Sequence, residues 1–106
     1  MSESIRTALD NYVNYISSLD GVVKIYLFGS CANGTANEHS DIDLMVIVDD
    51  NVDRAKTSVR ISKGLANRTV PLDVLVNRET DFHKASNEPT LQHRIKSEGV
   101  LMYGVR

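Results

Sequence analysis

The sequence predicts an α/β (α+β) domain: a small mixed sheet packed with helices. Three observations carry that expectation. Apolar runs of strand length stand at 22–28, 42–48 and 70–76, each bounded by turn-forming residues. Segments with apolar residues at helical spacing alternate with them, which gives the order αβ, loop, βαβαβ. The chain is 106 residues long, enough to bury one core but not a second, so a single domain over 1–106 is expected.

The helix at 4–19 places Ile5, Ala8, Leu9, Tyr12, Val13, Ile16 and Leu19 on one face, the pattern of a helix lying on a sheet. Ser2 or Ser4 suits its cap, and Gly21 suits a left-handed stop. The first strand, Val22–Phe28, is almost continuously apolar, as a covered strand should be. After Gly29-Ser30 comes a small, polar stretch with a second glycine at 34, read as a loop. The second strand, Ile42–Val48, closes at Asp49-Asp50-Asn51, a solvated turn or helix cap. A helix over 52–66 turns Val52, Ala55, Val59 and Leu65 inward and Lys56, Arg60 and Lys63 to solvent, with Gly64 blurring its end. The third strand, Val70–Val76, carries Pro71 and so belongs at an edge or begins there. Helices over about 79–86 and 90–97 follow, the second with Pro89 in its first turn and Leu91 and Ile95 docking it. Gly99 stops it, and Val100–Tyr103 is a short last strand.

Composition narrows the class of function. A hydrophobic share of 42%, a charged share of 25% and a net charge of −2 are those of an ordinary globular domain, without the basic density that grips nucleic acid. One cysteine makes no internal disulfide, which suits a reducing compartment. There is no signal-peptide pattern and no apolar run of about 18 residues, so no membrane span is expected and the cytoplasm is the expected location.

Three aspartates break the apolar pattern. Asp41 and Asp43 bracket Ile42, and side chains alternate along a strand, so both carboxylates share a face with Cα atoms roughly 6.5–7 Å apart. Asp73 lies inside the third apolar run, between Leu72 and Val74. A carboxylate in a covered strand is costly unless it is paired or coordinating. Carboxylates side by side repel unless a proton or cation relieves them. A divalent cation answers both problems. Three aspartates on adjacent strands suit two Mg²⁺ ions, which take oxygen ligands and fill their remaining positions with water and phosphate. Two such ions about 3.5–4 Å apart serve in-line displacement at phosphorus. Gly29, Ser30 and the amides after them suit the non-transferred phosphates of a nucleoside triphosphate.

Gly29-Ser30, ten residues, then Asp41-Ile42-Asp43, with Asp73 in a later strand, resembles the nucleotidyltransferases of the DNA polymerase beta superfamily. The length and the ending Ile95-Lys96-Ser97-Glu98-Gly99-Val100-Leu101-Met102-Tyr103 look like the minimal nucleotidyltransferase branch. The resemblance implies a polymerase beta-type nucleotidyltransferase fold. It implies that Asp41 and Asp43 bind both metals, that Asp73 binds the catalytic metal and helps deprotonate the attacking hydroxyl, and that Ser30 contacts the triphosphate. It also implies a setting: an antitoxin paired with a HEPN-family toxin, silencing it by moving AMP from ATP to a toxin tyrosine. One residue departs from the pattern, Asn33, where many relatives carry a basic side chain. Triphosphate binding then leans on Lys or Arg elsewhere.

Two rival functions fit the same chain: a non-catalytic antitoxin that masks its toxin by binding, and a small-molecule nucleotidyltransferase acting on an antibiotic. A chain of 106 residues is not expected to hold a separate acceptor-binding domain, which weighs against the second and leads to the expectation that a partner or second copy completes the acceptor site. Cys31 reads as a small turn residue, His39 as a solvent-facing loop residue and Tyr103 as packing. His83 and His93 lack metal-ligand spacing.

Overall fold

The computed structural model describes residues 1–37 and 39–104; Glu38 of the expected loop lies outside them. Helix α1 (Glu3–Ser17) starts where the Ser2 side chain accepts a hydrogen bond from the Ile5 amide at 3.3 Å. It buries Ile5, Ala8, Leu9, Tyr12, Val13 and Ile16, the stripe its spacing dictates. Strand β1 (Val22–Phe28) leads into α2 (Ser30–Asn33), a single helical turn where a loop is expected. Then come β2 (Ile42–Val48), α3 (Arg54–Gly64), β3 (Leu72–Arg78), α4 (Glu79–Ser86), α5 (Leu91–Glu98) and β4 (Val100–Gly104).

The sheet runs β3-β2-β1-β4, with β2 and β3 parallel and the other pairs antiparallel. Helix α3 is the crossover that parallel pairing requires. Helices α1 and α3 cover one face, where Ile16, Ile25, Leu44 and Ile61 meet. Helices α4 and α5 cover the other, over Val23, Met45 and Ile47, with Phe82 and Ile95 pointing in. Strand β2 is thus buried from both sides: Ile42, Leu44, Met45 and Val46 are all fully buried. Each such side chain contributes about 1.5–3 kcal/mol on burial. A one-residue slip would turn every one of them to the wrong face, so β2 is a firm base for whatever it carries.

Three expectations need correction. The 52–66 helix begins later, because the Asp53 carboxylate caps it by accepting from the amides of Ala55 and Lys56. Its buried residues are Thr57 and Ile61, while Ala55 is exposed and Val59 is 51% exposed. Thr57 tolerates burial because its hydroxyl donates to the Asp53 carbonyl at 3.2 Å, so no polar atom is stranded. The third strand starts two residues late, since the Tyr12 hydroxyl holds Val70, donating to its carbonyl at 2.7 Å and accepting from its amide at 3.0 Å. Pro71 then precedes an edge strand, where a missing N–H costs nothing. Pro89 lies ahead of α5 and not inside it, the cap being Thr90. Asp50 and Asn51 form the exposed turn expected there, and the Asp50 carboxylate accepts from the Thr80 amide and hydroxyl, so it also caps α4 from another segment. Those bonds hold the Asp50 carboxyl below its ordinary value.

Gly64 closes α3 for a packing reason. A Cβ there would come within 2.0 Å of the Tyr15 ring, so a side chain at 64 would have to push that ring out of its place between α1 and α3. The lysines and arginine expected on the outer face of α3 are exposed there.

Candidate active site

Strand alternation places Asp43 on the same face as Met45 and Ile47, the face under α4 and α5. Asp43 sits at the first turn of that face, half-buried, opposite Phe28 of β1 on one side and Asp73 of β3 on the other. In the parallel register Asp43 and Asp73 are direct Cα partners, so both carboxylates rise from the same face of neighbouring strands, about 4.8 Å apart in the backbone. Asp41 lies one residue before β2 and is exposed. The sheet thus sets Asp43 beside Asp73, while Asp41 stands just ahead of β2, close enough for its charge to act on Asp43.

The physical reason is milder than expected for two of them. Asp73 is exposed, because β3 is an edge strand with no helix over that end. Asp41 lies outside the strand. Only Asp43 bears the desolvation argument in full. Burial first, then the charges of Asp73 and Asp41, push its carboxyl above the ordinary value. Both charges that act on it are negative.

Gly29 packs directly against that carboxylate. Its backbone has φ 76° and ψ −157°, a region essentially reserved for glycine. A Cβ at this position would stand 2.3 Å from the Asp43 Oδ2. The following turn is tied back on itself, since the Gly29 carbonyl accepts from the amides of Ala32 and Asn33 at 3.0 and 3.2 Å. The Asn33 side chain is used inside the same turn: its Oδ1 accepts from the amide and the hydroxyl of Thr35. Ser30 stands half-buried at the start of the turn, next to Gly29 as the motif requires.

Cys31 is the residue that sequence reasoning undervalued. It is buried in the α1–α3 core, and its thiol donates to the Asp41 carbonyl at 3.4 Å. Burial and the Asp43 charge raise its pKa, which keeps it a neutral thiol and not a nucleophile. It ties the turn after Gly29 to the backbone of Asp41 across the expected loop. His39 is exposed, as expected. His93 joins α5 to α4 through its Nδ1 and the Ser86 carbonyl at 3.0 Å, and Tyr103 packs on the core.

Among the described residues, no three His, Cys, Asp or Glu side chains converge into a group that would hold a metal by themselves. Mg²⁺ does not ask for one: it uses one or two carboxylates and completes its shell with water and phosphate oxygens. The donor set fits that ion, and the crowding at Asp43 is what a cation would relieve.

A cavity of about 250 Å³ opens beside Gly29. Phe28, Leu91 and Ile95 form its apolar floor, and Asn33, Arg94 and Glu98 its polar wall. Sequence spacing gives no sign of this, because α5 reaches the Gly29 turn only through the fold.

The family model described as polymerase beta, nucleotidyltransferase, matches residues 10–105. A protein of Methanocaldococcus jannaschii, provisionally named a protein adenylyltransferase, is 32% identical over 98 residues, covering 91% of this chain and 95% of its own. The fold is similar to that of a provisionally assigned nucleotidyltransferase from Sulfolobus solfataricus, with TM-score 0.63, 22% identity, and 95% and 83% of the two chains covered. It is also similar to a toxin–antitoxin structure with AMP-PNP, with TM-score 0.59, 20% identity, and 99% and 76% covered. A mutant of the toxin–antitoxin pair MntA–HpeT gives TM-score 0.56, 17% identity, and 94% and 73% covered. No helix of the described residues is long and apolar enough to cross a membrane.

Proposed function

Because the chain belongs to the polymerase beta nucleotidyltransferase family, we propose that it transfers AMP from ATP to a hydroxyl of a partner protein, as the antitoxin of a HEPN toxin–antitoxin pair. One observation carries the reading: Asp43 and Asp73 face each other in register, with Asp41 two residues away and Gly29 closed down on the Asp43 carboxylate. The name of the Methanocaldococcus relative supports a protein acceptor, and the toxin–antitoxin neighbours support a toxin as that acceptor.

In this reading Asp41, Asp43 and Asp73 hold Mg²⁺, two ions per site. The ions supply charge neutralisation and orientation of the phosphates. Gly29 and Ser30 bring backbone and hydroxyl groups to the phosphates. Asp73, exposed at the sheet edge, is open to an incoming hydroxyl and helps take its proton. The acceptor oxygen bonds to the α-phosphorus, the bond from that phosphorus to the bridging oxygen breaks, and diphosphate leaves with its electron pair. The open edge at β3 leaves the acceptor side of the site to be completed by the partner.

The test is transfer of labelled AMP to the toxin encoded beside this gene. Asp41→Ala/Asp43→Ala is expected to abolish transfer, and Asp73→Asn to retain nucleotide binding while losing most of the rate. Transfer that survives the double substitution overturns the metal assignment. Full neutralisation of the toxin by that same variant would make masking, not modification, the mechanism.

A further inference from the structure

The geometry points to Arg94 as the residue that binds the leaving diphosphate of the nucleotide. This rests on the nucleotidyl-transfer reading and adds to it a specificity-determining contact on an element that carries none of the aspartates. Three observations carry it. Asp43 faces Asp73 in register, and the charges acting on it, those of Asp73 and Asp41, are both negative. The turn after Gly29 contributes no cation either, since Asn33 is neutral and its oxygen is engaged by Thr35. The cavity beside Gly29 has one basic side chain among its described lining residues, Arg94 of α5, with Asn33 lining it too.

Gly29 joins the two places, since it lines the cavity and lies against the Asp43 carboxylate, so a polyphosphate held at the aspartates would extend past Gly29 toward Arg94. A guanidinium binds phosphate oxygens through paired N–H donors, the geometry Arg supplies better than Lys. Arg94 is available for this. Its present partner is Glu98, with Nε to Oε2 at 3.8 Å and both side chains about three-quarters exposed. An exposed pair one helical turn apart is weak, so a multiply charged phosphate displaces the carboxylate. Glu98, lining the same cavity, then acts as a competitor that keeps the guanidinium oriented while the site is empty. Charge develops on the diphosphate as the bond to it breaks, so the contact strengthens toward the transition state.

The experiment compares three probes on the wild-type protein, Arg94→Ala, Arg94→Lys and Glu98→Gln, each with Mg²⁺: ATP, inorganic diphosphate and AMP. Arg94→Ala is expected to weaken ATP and diphosphate by the same factor, about 10–100-fold, and to leave AMP unchanged. Arg94→Lys restores part of that loss, and Glu98→Gln tightens diphosphate. The transfer rate at saturating ATP falls together with affinity in Arg94→Ala. If Arg94→Ala weakens AMP as much as ATP and spares diphosphate, Arg94 contacts the nucleoside and the inference is wrong. Unchanged binding of all three probes overturns it as well. A wild-type protein that binds neither ATP nor diphosphate overturns the nucleotidyl-transfer reading itself, a separate result. Circular dichroism of Arg94→Ala confirms that an exposed substitution leaves α5 folded.

Discussion

Adding one methyl group at residue 29 tests the link between fold and site most directly. Gly29→Ala makes two demands. The backbone must hold φ 76° and ψ −157° with a side chain attached, at a cost near the top of the roughly 1–3 kcal/mol range for such strain. The new Cβ must also clear the Asp43 Oδ2, which stands 2.3 Å away, whereas ordinary contact starts at 3.4 Å. The carboxylate therefore has to retreat by about 1 Å, a displacement that costs a positioned catalytic group on the order of 100-fold in rate. Gly34→Ala is the matched control. It too has positive φ, 82°, but nothing lies within 4 Å of its Cβ, so it pays the backbone cost alone, about 1 kcal/mol. Urea unfolding measures both costs, and nucleotide transfer measures the displacement. Asp43→Ala supplies the second edge of a double-mutant cycle. The Asp43 Cβ lies at 3.5 Å, so in that background the steric part of the Gly29→Ala penalty should disappear while the backbone part remains. The reasoning fails if Gly29→Ala costs no more stability than Gly34→Ala, if it retains transfer within threefold of wild type, or if its penalty is the same with and without the Asp43 carboxylate.

Other changes have expected outcomes of their own. Asp43→Asn should stabilise the protein at neutral pH. The folded-state pKa of Asp43 is raised, so this group favours the folded state below its unfolded pKa and loses that contribution as pH rises through the folded value. The gain from Asn should be about 1 kcal/mol near pH 7, the size of a like-charge pair about 4–5 Å apart under strong solvent screening. It should shrink toward zero as pH falls to the ordinary carboxylate value of 3.8; urea midpoints at several pH values report it, and a gain that persists in acid contradicts the charge argument. Tyr12→Phe should cost about 1–3 kcal/mol, because it strips the half-buried Val70, at the lead into β3, of both its hydrogen bonds to the buried Tyr12 hydroxyl. Unfolding by urea is again the measure, and a loss below about 0.5 kcal/mol would show that water replaces the hydroxyl there.

Much of this molecule is legible along the chain. The first two strands, α1 and α4 follow from period and punctuation alone, because burying an apolar stripe is a local property of spacing. Asp43 and Asp73 stand out because carboxylates interrupt apolar runs, and Asp41 because it pairs with Asp43 across Ile42, contrasts that need no coordinates. The inner face of α3 was less legible. Val59 looks the better core residue in isolation, yet Thr57 takes the buried place once Asp53 sets where the helix begins.

What only the tertiary structure decides is which distant residues share the site. The sequence by itself singled out three aspartates for one face of one sheet, by strand alternation; the parallel register of β2 and β3, which sets Asp43 beside Asp73, came only with the structure. It overstated their burial: the edge position of β3 leaves Asp73 in solvent and concentrates desolvation on Asp43. It was silent on Cys31 tying the glycine turn to Asp41, on Asp50 capping α4 and on Arg94 sharing a cavity with Gly29. Each of those contacts joins segments that are apart in the chain, and no periodicity records them. Local spacing sets the elements and their faces; the sheet order and the packing of α5 across it decide what surrounds the carboxylates.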